Sequence, residues 1–208
     1  MNYAPETETN EEQLAAASMP PGLYGALSTL AQRVYATDGD RTVRTVMVTA
    51  ARPQSGVSYI SSCLSTLVAE VFGKCVLVDG QVVADLARKG QLPSRSDCTS
   101  IKHSRLWVLG TAEGAEISAQ ARGKKAPVRA ILDSLLGDFE YVVVDTPALS
   151  ESKAAEALSP EVDGVILVVV PNETDIEDIS TARIKLTSRG GHLLGAIYNT
   201  SLDPSESG

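Results

Sequence analysis

Apolar residues in this chain follow two rhythms. Uninterrupted aliphatic runs at 45–49, 75–78, 106–109, 141–144, 165–170 and 193–198 alternate with stretches where apolar residues recur every three or four positions. The first pattern predicts strands and the second predicts helices. Leu23, Leu27, Leu30 and Val34 mark a first helix, ended by the polar run 37–40. Ile60, Leu64, Leu67, Val68 and Val71 mark a second, closed by Gly73. Val128, Ile131, Leu132, Leu135 and Leu136 form a third behind Pro127. Ile176, Ile179, Ala182 and Leu186 form a fourth, ended by Gly190-Gly191. The runs do not alternate apolar with polar, so both faces of each strand are expected to be covered. Parallel sheets between helical layers have that property. The order strand, loop, helix, strand over 45–78 is a βαβ unit. The predicted fold is α/β, a doubly wound, mostly parallel sheet flanked by helices.

Domain limits follow from composition. Residues 1–21 are acidic, polar and end in Pro-Pro, and read as a disordered tail. Residues 22–200 read as a single domain, and 201–208 as a short acidic tail. The net charge of −8 is uneven, because six acidic residues and no basic ones lie in the two tails. Segment 88–129 is its counterpart, with nine Lys and Arg against three acids. It reads as two surface loops around one strand. Arg122, Lys124, Lys125 and Arg129 in it are the candidate partner-binding residues. The overall acidity argues against a nucleic-acid binder, which needs surplus cations to displace phosphate counterions.

Other classes fall away on residue counts. Cys63, Cys75 and Cys98 are an odd number without a C-x-x-C pair, and with His103 and His192 they lack zinc-ligand spacing. Buried, inert thiols are expected. The N-terminus has no signal-peptide pattern, and no apolar run approaches the roughly 20 residues of a membrane span. A cytoplasmic protein is expected, without direct membrane insertion.

Ligands of open α/β sheets sit beyond the carboxyl ends of the strands. The loop after the first strand reads Thr49-Ala-Ala-Arg-Pro-Gln-Ser-Gly56-Val57-Ser58-Tyr59. It has the length and place of a phosphate-binding loop, G-x-x-x-x-G-K-[ST]. Gly56 fills the second glycine and Ser58 keeps the hydroxyl. Ala51 stands for the first glycine, and Val57 stands where the lysine belongs.

With that loop, the runs Lys74-Cys-Val-Leu-Val-Asp-Gly80 and Tyr141-Val-Val-Val-Asp-Thr-Pro147 make the chain resemble a known group. It resembles the bacterial capsule-type tyrosine kinases that accompany polysaccharide co-polymerases, within the MinD/ParA group of P-loop ATPases. The resemblance runs from about Gly22 to Asp203. It implies a P-loop NTPase-like fold and a nucleotide site at Gly56, Val57, Ser58, Asp79, Asp145 and Asn199, with Asn199 at the adenine. Ser58, Asp79 and Asp145 would be the Mg²⁺ residues if the ion is bound.

The departures all point to lost chemistry. Gln81 replaces the second carboxylate of the family's D-x-D motif. The ring-building E-x-x-R-x-x-R motif falls on Gly22, Gly25 and Ser28, so a family-type ring is not expected. The tail after residue 200 has no tyrosine. A hydrogen bond to a charged group is worth about 1.5–3 kcal/mol, so losing the lysine alone costs phosphate affinity roughly ten- to a hundred-fold. The expectation is therefore a degenerate, pseudokinase-like protein with no catalytic residues and no cofactor. It would act as a binding or regulatory partner in exopolysaccharide or capsule synthesis or export. Its partner would be the cytoplasmic part of a polysaccharide co-polymerase or an active kinase homologue, which would recruit it to the inner membrane. The alternatives are a weak or unconventional ATPase or tyrosine kinase that binds Mg-ATP weakly, with Arg52 or the basic segment supplying charge, and a MinD/ParA-like positioning factor.

Overall fold

The computed structural model describes residues 19–35, 42–110 and 126–200. Residues 1–18 of the first tail, the whole second tail, the first helix's expected stop at 37–40, and Arg122, Lys124 and Lys125 lie outside them, whereas Pro21, expected in the tail, begins the first helix.

Seven strands form one sheet in the order β3-β4-β2-β5-β1-β6-β7. They are β1 (Thr45–Ala50), β2 (Cys75–Asp79), β3 (Thr99–Ser100), β4 (Leu106–Leu109), β5 (Tyr141–Asp145), β6 (Gly164–Val169) and β7 (Leu193–Tyr198). All pairings are parallel except that of the two-residue β3 with β4. Every residue of β1 and β6 is buried, as their unbroken apolar runs require.

Helices cover both faces. On one side, α1 (Pro21–Tyr35) packs on α2 (Val57–Val71), with Leu27, Ala31, Ile60, Leu64 and Leu67 against Val46, Val48 and Val143. On the other lie α3 (Gly80–Lys89), α4 (Val128–Asp138), α5 (Ala154–Leu158) and α6 (Ile176–Thr187). Their side chains Val83, Leu86, Ile131, Leu132, Leu158 and Leu186 meet Met47, Val76, Val144 and Leu167. The mostly parallel, doubly wound fold expected from the sequence is the fold observed.

Three elements differ from expectation; one is β3, a second strand in the segment read as two loops around one strand. Helix α3 occupies 80–89, where Asp79-Gly80 reads as the turn that ends the second strand and the basic segment read as loop begins at Arg88. Asp79 and Gly80 begin this helix instead of ending in a turn. The Asp79 carboxylate accepts the Gln81 N–H at 2.7 Å as its N-cap, and Gly90, at φ 66°, ends the helix in the left-handed conformation. Helix α5 is also unforeseen, because five residues carry too little periodicity to read. All three cysteines are buried and unbridged, as expected.

Candidate functional site

The loop between β1 and α2 descends from the carboxyl end of a central strand and turns sharply at Gly56 (φ 79°, ψ 23°). Gln54 is also left-handed (φ 58°), a conformation that costs a side-chain-bearing residue about 1–2 kcal/mol. The turn is held from several sides. Ser55 Oγ donates to Arg52 O at 2.8 Å, and the Asn199 side-chain amide donates to Ser55 O at 3.1 Å. Helix α2 then starts without a side-chain cap. The N–H groups of a helix's first turn have no intrahelical partners, so this end of α2 carries partial positive charge.

That helix end and the loop wall an open cleft of about 440 Å³. Its lining runs from Arg52 through Tyr59, with Asp79, Asp145, Thr146, Pro147, Ala148 and Glu151 opposite. The two aspartates are register partners at the ends of adjacent parallel strands. Asp145 carries a carboxyl pKa raised above its ordinary value, chiefly by burial. Hydrogen bonds from Ser58 and Ser61 oppose the rise, and the neighbouring Asp79 charge adds to it. Ser61 Oγ donates to Asp145 Oδ1 at 3.2 Å from a fully buried position on α2. The Thr146 hydroxyl ties the start of the opposite wall to Val48 O at 2.8 Å.

Positive charge is scarce here. Val57, in the lysine's place, is half-buried and packs toward the α1–α2 layer. Among the described residues Arg52 is the one cation in the lining, and its guanidinium pairs with Asp178 at 2.5 Å and Asp175 at 3.3 Å, at the start of α6. Among the described residues no three His, Cys, Asp or Glu side chains are grouped to hold a metal ion. The site therefore fits a nucleotide only in part. The loop turn and the uncapped start of α2 offer backbone N–H groups to a phosphate, Val57 stands at the first position of that helix, and three carboxylates (Asp79, Asp145, Glu151) line the same cleft.

Five of the residues expected at the site, Gly56, Val57, Ser58, Asp79 and Asp145, come together in the lining. Asn199 does not line the cleft; it is buried behind the loop with its amide spent on Ser55. Ser58 is directed to Asp145, and Asp79 caps α3. Arg129, expected on a partner surface, braces the fold through Asp133, Glu161 O and Asp163 at 3.0–3.5 Å. Ser61 and Glu151 were missed. A buried serine in an otherwise apolar helix face was the available signal for Ser61, whereas Glu151 sits in a loop without pattern.

No family model matches the chain. By sequence it is similar to the tyrosine-protein kinase YwqD of Bacillus subtilis, 24% identical over 179 residues, covering 77% of this chain and 73% of that protein. It is also similar to the tyrosine-protein kinase CpsD of Streptococcus pneumoniae, 23% identical over 214 residues, covering 94% and 90%. By structure it is similar to the kinase domain of the Escherichia coli tyrosine kinase ETK, with a TM-score of 0.67 at 18% identity over 85% of this chain and 74% of that one. The MinD cell division protein of Aquifex aeolicus gives a TM-score of 0.57 at 19% identity over 75% and 69%. No helix among the described residues is long and apolar enough to cross a membrane.

Proposed function

For a chain whose relatives are the bacterial tyrosine-protein kinases and whose fold is the P-loop fold they share with MinD, we propose the role of a pseudokinase. It acts by binding, as a regulatory partner in capsule or exopolysaccharide synthesis or export. Its partner is an active kinase homologue or the cytoplasmic part of a polysaccharide co-polymerase. One observation carries this reading: among the described residues Arg52 is the cleft's one cation and it pairs with Asp175 and Asp178, while Asp79, Asp145 and Glu151 line the cleft around Val57. Phosphoryl transfer depends on positioning and on charge placed against the phosphates, and it is the charge that this reading takes as deficient.

Calorimetric titration of the full chain with Mg-ATP tests it. No saturable heat is expected at about 1 mM nucleotide, an affinity no better than about −4 kcal/mol. Binding below about 100 µM, with ATP turnover abolished by Asp145→Ala, would overturn the proposal. The rival is an unconventional ATPase that receives its cation from a partner in trans. The retained backbone seat at the start of α2 favours it, and turnover appearing only on adding the partner would establish it.

A further inference from the structure

The two edges of the sheet are built differently. One ends in β3, two residues long, which offers little backbone to another chain. The other ends in β7, six residues without a charge or a proline. Among the described residues no strand pairs with its outer side. Asn199 N–H bonds inward to Val169 O at 2.8 Å. Backbone groups alternate sides along a strand, so those of Tyr198 and Ala196 point outward from the edge.

The helix beside this edge is equally open. Lys185 of α6 lies 3.8 Å from Glu156 of α5, so that flank faces inward over the sheet. At 100° per residue the opposite flank carries Ile176, Ser180, Arg183 and Thr187, all exposed. Ile176 is 82% exposed, and Ile184 and Tyr198, on neighbouring surface, are 65% and 66% exposed. Tyr198 pairs in register with Val169, whose side chain belongs to the core layer under α6, so its ring stands on the α6 side of the sheet. Charge along α6 is polarised, with Asp175, Glu177 and Asp178 at its start and Arg183, Lys185 and Arg189 at its end.

We propose that the β7 edge and the outer flank of α6 form an isologous dimer interface whose occupant is a second copy of this chain. A two-fold axis normal to the sheet pairs β7 antiparallel with its counterpart. The same axis keeps both α6 helices on one face and runs them antiparallel. Each crossover helix lies over its own two strands, so the helices stand about two strand spacings apart, about 9.6 Å. That falls within the 8–10 Å of packed helices. Strand pairing and helix packing are thus satisfied by one operator. The antiparallel arrangement also sets exposed Glu177 at the start of each α6 toward exposed Arg183 and Arg189 at the end of the other, which favours the second copy over an unrelated strand.

Sedimentation equilibrium of the full chain, from about 1 to 100 µM, tests this independently of the cleft. A dimer of the 21.9 kDa chain is expected, dissociating in the micromolar range. Ala196→Pro removes an outward N–H at an edge position that tolerates proline, and Ile176→Lys puts a charge on the exposed flank. Each should weaken the dimer at least about tenfold while circular dichroism stays native. Ile176→Lys decides alone if the proline variant does not fold. A monomer throughout the range, or a dimer that Ile176→Lys leaves unchanged, would overturn the proposal.

Discussion

At Asp145 two demands meet. A carboxylate beside a phosphate and Mg²⁺ must be ionised, yet burial here favours its neutral form and Asp79 adds like charge. An unfolded aspartate titrates near 3.8, and the folded one titrates higher. Below the unfolded value both states hold the proton, and the group takes nothing from stability. As pH rises past that value the unfolded chain releases its proton first, so stability is lost, and the full loss is present above the folded pKa. Asp145→Asn keeps an oxygen to accept from Ser58 and Ser61 and removes the charge. The variant should melt above the parent at about pH 7, with the gain vanishing near about pH 4 in parallel thermal melts. A variant that melts lower at neutral pH would mean that the ionised carboxylate has a cationic partner in solution. Ser58, Asp79 and Asp145 could be found in the sequence because each stands at the carboxyl end of an aliphatic run or just past a glycine. The bonds that decide their roles could not. Ser61 meets Asp145 across 84 residues and Arg52 meets Asp178 across 126. Local spacing contains no trace of either pair.

Helix α3 shows where pattern and structure part at the scale of elements. The central strands were readable because burial on both faces forces continuous apolar runs. Helix α3 is ten residues long, presents Val82, Val83 and Leu86 to the core, and opens on Asp-Gly, a dipeptide that reads as a turn. Its start is possible because Gly80 packs against the end of β5, where a Cβ would meet Thr146 Cγ2 at 2.5 Å and Asp145 O at 3.1 Å. Asp79 is thereby a helix cap before it is anything else. Asp79→Ala should cost about 0.5–2 kcal/mol, the loss of an N-cap. Asp79→Asn keeps an acceptor for the Gln81 N–H, relieves the charge next to Asp145, and should cost far less. Denaturant unfolding of both variants separates the cases. Equal losses would assign the charge of Asp79, and not its capping bond, to the fold.

For the whole molecule, the cleft's charge deficit becomes a statement about stability. A ligand that binds only the folded state adds RT ln(1 + [L]/Kd). An intact nucleotide site with a Kd of about 10 µM would gain about 2.7 kcal/mol at about 1 mM Mg-ATP, and a domain of this size would melt roughly 5–10 °C higher. At a Kd of about 1 mM, a hundred-fold weaker, the gain is about 0.4 kcal/mol. The parent chain should therefore melt no more than about 1–2 °C higher with Mg-ATP than without it. Val57→Lys adds one cation at the start of α2, where the loop turn at Gly56 and the uncapped helix end are already in place. Val57 is only half-buried, so the change costs little packing. If the cation is the chief missing part, this single variant should gain a nucleotide-dependent rise of a few degrees, and Gly56→Val in the same background should abolish it by blocking the left-handed turn. It should not gain turnover, because Gln81 still stands where a second carboxylate is expected. A parent that already shows the full rise would mean that Arg52 leaves Asp175 and Asp178 to meet the phosphates. A Val57→Lys chain that shows none would mean that the carboxylates lining the cleft, and not the missing cation, set the barrier.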